Sequence, residues 1–166
     1  MKKRWICLYV ENDIGVLTRI AGLFSSKSYN IDSLTVGETE DNTISRMTIS
    51  LTSDDRTFEQ VKKQLNRSVE VIKVVDYTDI AIHMKELLFV KISCCTENDK
   101  SEIFRIAKVF AVTITDYDKN TILLECVQTE TKNNNSIKLL GNCFCNRIEV
   151  VRGGSVAIEA ISMSDR

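Results

Sequence analysis

The chain has 166 residues, 43% of them hydrophobic and 27% charged. That is enough to bury a core without cross-links and is the composition of an ordinary globular protein, not a disordered one. Lysine plus arginine number 22 against 23 acidic residues, so the net charge of −1 supplies no field toward nucleic acid or an anionic membrane. No apolar run approaches the ~20 residues that span a bilayer. Met1-Lys2-Lys3-Arg4 is basic, but Glu11, Asn12 and Asp13 interrupt the following apolar stretch too early for a secretory signal.

There is no proline, so Gly, Asn, Asp and Ser must shape the loops, and there are six cysteines and one histidine. Disulfide density belongs to small exported domains, so the thiols are expected to be free in a reducing cytoplasm.

In chain order, Lys3 to Val10 is rich in aromatic and β-branched residues and reads as a buried strand. Leu17, Ile20, Ala21 and Phe24 then fall on one helical face, with Asn12 or Asp13 as the expected N-cap. Asn30–Thr39 and Thr43–Leu51 read as strands joined by a turn at Glu40-Asp41-Asn42. Ser53-Asp54-Asp55 caps a helix with the stripe Phe58, Val61 and Leu65, and Val69–Val75 closes a βαββαβ unit.

The second half repeats the order more faintly. Leu87–Cys94 is a strand, and Asn98–Lys108 a helix carrying Ile103, Ile106 and Ala107. Ala111–Thr115 and Thr121–Gln128 are strands joined through Asp116–Asn120. Lys132–Gly141 is a helix with a polar start at Asn133-Asn134-Asn135. Arg147–Arg152 and Ser155–Ile158 are strand segments around Gly153-Gly154. The join is expected near Thr78–Glu86, where His83 and Lys85 interrupt Ile80, Ala81 and Ile82. The class is α+β: two tandem ferredoxin-like (βαββαβ) domains, 1–78 and 79–166. Right-handed crossovers place both helices of each unit on one sheet face, leaving the other face and the edges open for pairing.

Catalytic and metal chemistry find little support. Neither GxGxxG, GxxxxGK[ST] nor HExxH is present. Cys94-Cys95 would point to opposite faces of a strand, and Cys143-x-Cys145 offers two of the four ligands a zinc site wants. Cys-His catalysis would have to run through His83, which reads as a surface or hinge residue. The paired acids Asp54-Asp55 and Glu38/Glu40 sit at turns or helix starts, where they solvate a loop or complement the helix dipole. An RNA-binding module, the main alternative alongside some other small-molecule binder, needs base-stacking aromatics on its central strands. Thr43–Ile49 has none, and only Trp5 and Tyr9 on the first strand could stack.

The informative stretch is Glu11-Asn12-Asp13-Ile14-Gly15-Val16-Leu17 at the first strand–helix junction. A helix N-terminus offers about four unpaired N–H groups and about half a positive charge, which suits a carboxylate. Gly15 there either lets a ligand approach the backbone or relieves crowding against a neighbouring strand. Asn30 can donate and accept hydrogen bonds.

ENDIGVLTRIAGLFSSKSYNIDSLTVGETED followed by ISRMTI closely resembles the N-terminal ACT domain of the acetolactate (acetohydroxyacid) synthase small, regulatory subunits, densely from about Arg4 to Asp76. ELLFVKI and NRIEVVRGGSVAI match the C-terminal half in pattern. The resemblance implies a non-catalytic regulatory subunit of the cytoplasm with no cofactor of its own. Thiamine diphosphate, Mg²⁺ and FAD would sit on the large catalytic partner. It implies a homodimer through ACT domains that binds a branched-chain amino acid, typically valine, at the interface, and that activates the partner and mediates feedback inhibition. Asn12, Gly15 and Asn30 carry over by motif. Backbone around Asp13–Val16 would meet the ligand carboxylate, and Ile14, Val16, Leu17 and Ile31 are the candidate apolar wall. Two positions depart from the resembled pattern: Ser28 stands where Gly is common before Tyr-Asn-Ile, and Gly37 where Ala is common.

Overall fold

A computed structural model describes residues 1–26 and 29–161. Lys27 and Ser28, and with them the departure from glycine noted at Ser28, lie outside the described residues.

The first unit runs β1 (Lys2–Glu11), α1 (Val16–Ser26), β2 (Ser33–Glu38), β3 (Ile44–Ser53), α2 (Asp55–Leu65) and β4 (Val71–Asp76). Its antiparallel sheet has the order β2-β3-β1-β4. Period-two alternation sends Ile6, Leu8 and Val10 of β1 and Met47, Ile49 and Leu51 of β3 to one face. They meet Val16, Ile20 and Phe24 of α1 and Phe58, Val61 and Leu65 of α2 in one buried cluster, so both helices lie on that face. Each of these side chains contributes about 1.5–3 kcal/mol by leaving water. Asp54 caps α2 by accepting the Thr57 N–H at 2.8 Å, as its position before the apolar stripe leads one to expect.

The second unit runs β5 (Ile82–Ile92), α3 (Glu97–Phe110), β6 (Thr113–Tyr117), β7 (Ile122–Gln128), α4 (Glu130–Cys143) and β8 (Ile148–Glu159). Its sheet order, β6-β7-β5-β8, repeats that of the first. Its core joins Leu88, Val90 and Ile92 to Ile103, Ile106, Ile122, Leu124, Leu140 and Phe144. The α+β pair of βαββαβ units is therefore present throughout.

Several local expectations are corrected. His83 and Lys85 do not interrupt β5; both are exposed while Glu86 and Leu88 are buried, which is the alternation of a one-sided strand. Helix α4 starts at Glu130, capped by Thr129, so Asn133 lies inside the helix and is fully buried. Gly153-Gly154 does not break β8; Gly154 takes φ 77° within a continuous strand.

The open face of the first sheet is not free. The Thr35 hydroxyl donates to the Ser155 carbonyl at 2.9 Å, Arg46 donates to the Ala157 carbonyl, and the Ala160 N–H donates to Ala81 at 2.9 Å. Arg46 also reaches the Cys7 sulfur and the Tyr77 hydroxyl, each at 2.9 Å, which leaves Cys7 buried on the face opposite the helices. The chain accordingly forms two compact units, Met1–His83 together with the segment that begins at Ser155, and Met84–Gly154.

In the second unit Thr96 and Asp99 form a reciprocal capping box at α3, and Arg147 bonds Asp99 at 2.9 Å. The Arg147 guanidinium, together with the Thr96 N–H and hydroxyl, holds the Asp99 carboxyl well below the ordinary carboxylate range. A carboxyl depressed by folding stabilises the protein above its unfolded pKa of about 3.9 and loses that contribution as pH falls through the folded value. Acid titration of the melting temperature is therefore expected to show Asp99→Asn less stable than the parent at neutral pH, with the difference shrinking below about pH 4. A gap that persists unchanged at pH 2–3 contradicts the assignment.

Candidate functional site

The chain leaves β1 at Glu11 and enters α1 at Val16, and the four residues between build the site. The Gly15 carbonyl accepts the Arg19 N–H at 3.0 Å, so Gly15 is the half-in residue at the helix start, where Asn12 or Asp13 was expected. Gly15 has φ +86°, a conformation that L side chains rarely adopt. A Cβ there would meet only the Arg19 guanidinium, at 3.7 Å, so crowding by a strand is not the reason for glycine. Asp13 accepts the Ile14 N–H at 2.7 Å, and its own carbonyl accepts from Val16 at 3.4 Å.

Asn12 ties this junction to the β2–β3 hairpin. Its Nδ2 donates to the Asn42 carbonyl at 2.8 Å and to Glu38 at 3.3 Å, and its Oδ1 accepts the Ser45 hydroxyl at 2.9 Å. The partners Glu38, Asn42 and Ser45 escaped sequence reasoning, because strand pairing, not spacing, brings them to Asn12. On the other side Arg19 pairs with Glu70 at 2.6 Å. Asn12 and Asp13 line an open cleft of about 580 Å³ with Thr43, Ile44 and Ile72.

The expected apolar wall divides. Ile14 is 93% exposed and Leu17 46%, both available to a ligand or partner. Val16, a candidate for the wall, is buried in the core beside Ile20 and Phe24 and does not face an open site. Ile31 is half-buried against the same core, and Asn30 is exposed with its amide 3.5 Å from Asp32. Asn30 and Asn12 lie at opposite ends of the sheet. Asp32 bonds backbone to Ser50, whereas Asn12 bonds to Thr43, and six residues of strand separate them by about 20 Å. One chain therefore does not assemble Asn12–Leu17 with Asn30–Ile31.

The other candidates are placed as follows. His83 is exposed on β5. Cys7, Cys95 and Cys126 are buried, the last with its thiol pushed up to about 11 by burial, while Cys94, Cys143 and Cys145 are exposed. All six are unpaired thiols, and among the described residues no three His, Cys, Asp or Glu side chains group as metal ligands. No described helix is long and apolar enough to cross a membrane. Arg46 stands over the Tyr9 ring on the sheet face that the strand from Ser155 overlies, which is not an open base-stacking platform.

An antiparallel β2-β3-β1-β4 sheet with two helices on one face and a glycine-started first helix, followed by a second unit of like topology, defines the class of tandem regulatory modules headed by an ACT domain. Residues 6–73 match the AHAS small subunit-like ACT domain and residues 85–161 the small subunit of acetolactate synthase. The acetolactate synthase small subunit of Aquifex aeolicus is 39% identical over 158 residues, covering 95% of this chain and 81% of that one. A probable acetolactate synthase small subunit of Methanothermobacter thermautotrophicus is 39% identical over 92% of this chain and 90% of its own length. The crystal structure of the Thermotoga maritima small subunit superposes with a TM-score of 0.85 at 30% identity, covering 97% and 99% of the two chains. This chain belongs to the acetolactate synthase small-subunit family, the non-catalytic, regulatory side of that enzyme.

Proposed function

We propose that the chain activates the large, catalytic subunit of acetolactate synthase and makes it sensitive to a branched-chain amino acid, valine foremost, bound between the ACT domains of two copies. The thiamine diphosphate, Mg²⁺ and FAD of the reaction belong to that large subunit, and this chain contributes regulation in the cytoplasm.

The observation that carries the reading is the placement of β2. It is the edge strand of the first sheet, and its Val36 is 46% exposed. Antiparallel pairing of β2 with the β2 of a second copy sets the Ser33 end of one strand against the Glu38 end of the other. Asn30–Ile31 of one chain then approach Asn12–Leu17 of its twin, which a single chain keeps about 20 Å apart. The α1 N-terminus supplies backbone N–H groups for the ligand carboxylate. Exposed Ile14 and Leu17 meet the aliphatic side chain, and the side-chain oxygen of Asn30 or Asn12 suits the ammonium. A ligand bound across two copies stabilises one dimer arrangement. A coupling of ~1–3 kcal/mol between that arrangement and the catalytic partner changes affinity 5–150-fold.

Val36→Lys places a charge on the edge strand, the usual device against edge pairing. Sedimentation equilibrium is expected to show a shift to monomer, and equilibrium dialysis with labelled valine, leucine and isoleucine a parallel loss of binding. A monomeric variant that binds valine normally would retire the two-chain site. Co-purification with the large subunit, with activity measured with and without valine, tests the partner.

A further inference from the structure

We propose that the second unit carries a separate binding site for a small organic anion with an apolar tail, in a cleft of about 510 Å³ at the end of its sheet. The volume falls in the range of small-molecule sites. Lys85 from the start of β5 and Lys132 from the first turns of α4 line it, and no carboxylate does. The wall between them is formed by Val109 and Phe110 from the last turn of α3 and Val127 from β7, which are 77%, 41% and 49% exposed. Apolar side chains left open beside two ammonium groups suit a ligand with one anionic head and one hydrocarbon end.

Two helix ends border the cleft. The carbonyls at the end of a helix carry its negative pole. Here Ala111 takes the left-handed conformation at φ 52°, and the Gln128 amide donates to the Phe110 carbonyl at 2.6 Å and the Ala111 carbonyl at 3.4 Å. Those two carbonyls are therefore occupied by a donor from within the protein, while the N-terminal end of α4, which carries Glu130 in its first turn, brings its positive pole near Lys132. The carboxylate of Glu86, which follows Lys85, is buried and bonded by Arg152 and Asn133, and it is not among the residues lining the cleft. The ligand class is a short-chain carboxylate or phosphate ester. A zwitterionic amino acid fits poorly, because no acidic group lines the cleft to receive its ammonium.

Methyl NMR of the full chain, titrated with hexanoate to about 10 mM, is expected to shift the Val109 and Val127 methyls with millimolar affinity. Lys85→Gln/Lys132→Gln, checked for folding by circular dichroism, should weaken binding roughly tenfold. Hexylammonium should leave both methyls unmoved, and orthophosphate should compete if the head group alone is recognised. Silence with hexanoate, equal response to hexylammonium, or undiminished binding by the double variant overturns the proposal. Displacement of hexanoate by saturating valine also overturns the proposal, because the cleft would not then be separate from the amino-acid site; loss of valine binding in Val36→Lys with hexanoate binding unchanged leaves both readings standing.

Discussion

Gly15→Asp is expected to abolish or greatly weaken valine inhibition while leaving stimulation of the catalytic subunit intact. Two effects combine at this position. A side chain at φ +86° costs about 1–3 kcal/mol of backbone strain, although Asp tolerates the left-handed region better than most residues. Its carboxylate also stands at the helix terminus that would receive the ligand's own carboxylate. Together they should raise the valine concentration for half-inhibition by about tenfold or more. Gly15→Ala separates the two, since it carries the strain without the charge. If both variants lose inhibition equally, backbone geometry is the cause. If both lose stimulation as well, the first unit has misfolded and the ligand assignment gains nothing. Unchanged valine inhibition in Gly15→Asp would refute the α1 N-terminus as the carboxylate site.

Arg152→Ala is expected to be among the most destabilising single changes in the second unit. Glu86 is 4% exposed, and both of its carboxylate oxygens accept from Arg152 at 2.8 Å. The Asn133 amide donates to the same carboxylate at 3.0 Å and to the Glu86 carbonyl at 3.1 Å. Removing the arginine takes the charged, two-point donor away from a buried carboxylate, which costs about 3 kcal/mol. For a chain of this length that lowers the melting temperature by roughly 6–12 °C. The chain has one tryptophan, Trp5 on β1, so its fluorescence follows the first unit while circular dichroism follows both. The circular dichroism transition should move. Glu86→Leu/Arg152→Leu, which removes both charges, should recover most of the loss. A loss under ~1 kcal/mol in Arg152→Ala would mean that water already shares the pair.

Much of the fold was legible because its signals are local. The stripe Phe58, Val61, Leu65 and the alternation Met47, Ile49, Leu51 each declare a period, and both sets are buried as that period requires. The internal repeat set the class. Local reading failed where a polar residue sits in an apolar pattern or an element ends without a strong stop. His83 and Lys85 are the solvent side of β5, and Asn133 is a buried helix residue, because its partner Glu86 is 47 positions away. Val16 is an apolar candidate for the ligand wall by its type and position, but the angular position of α1 on the sheet turns it into the core.

By itself the sequence determined the two βαββαβ units and the buried faces of α2 and β3, since hydrophobic period acts within a few residues. Only the tertiary structure decided that Asn12 is clasped by Glu38, Asn42 and Ser45, that the strand from Ser155 overlies the first sheet, and that Asn30 stands a sheet's length from Gly15. Those relations follow from strand register and from which face a strand presents, and register is an agreement between distant segments that neither segment encodes alone.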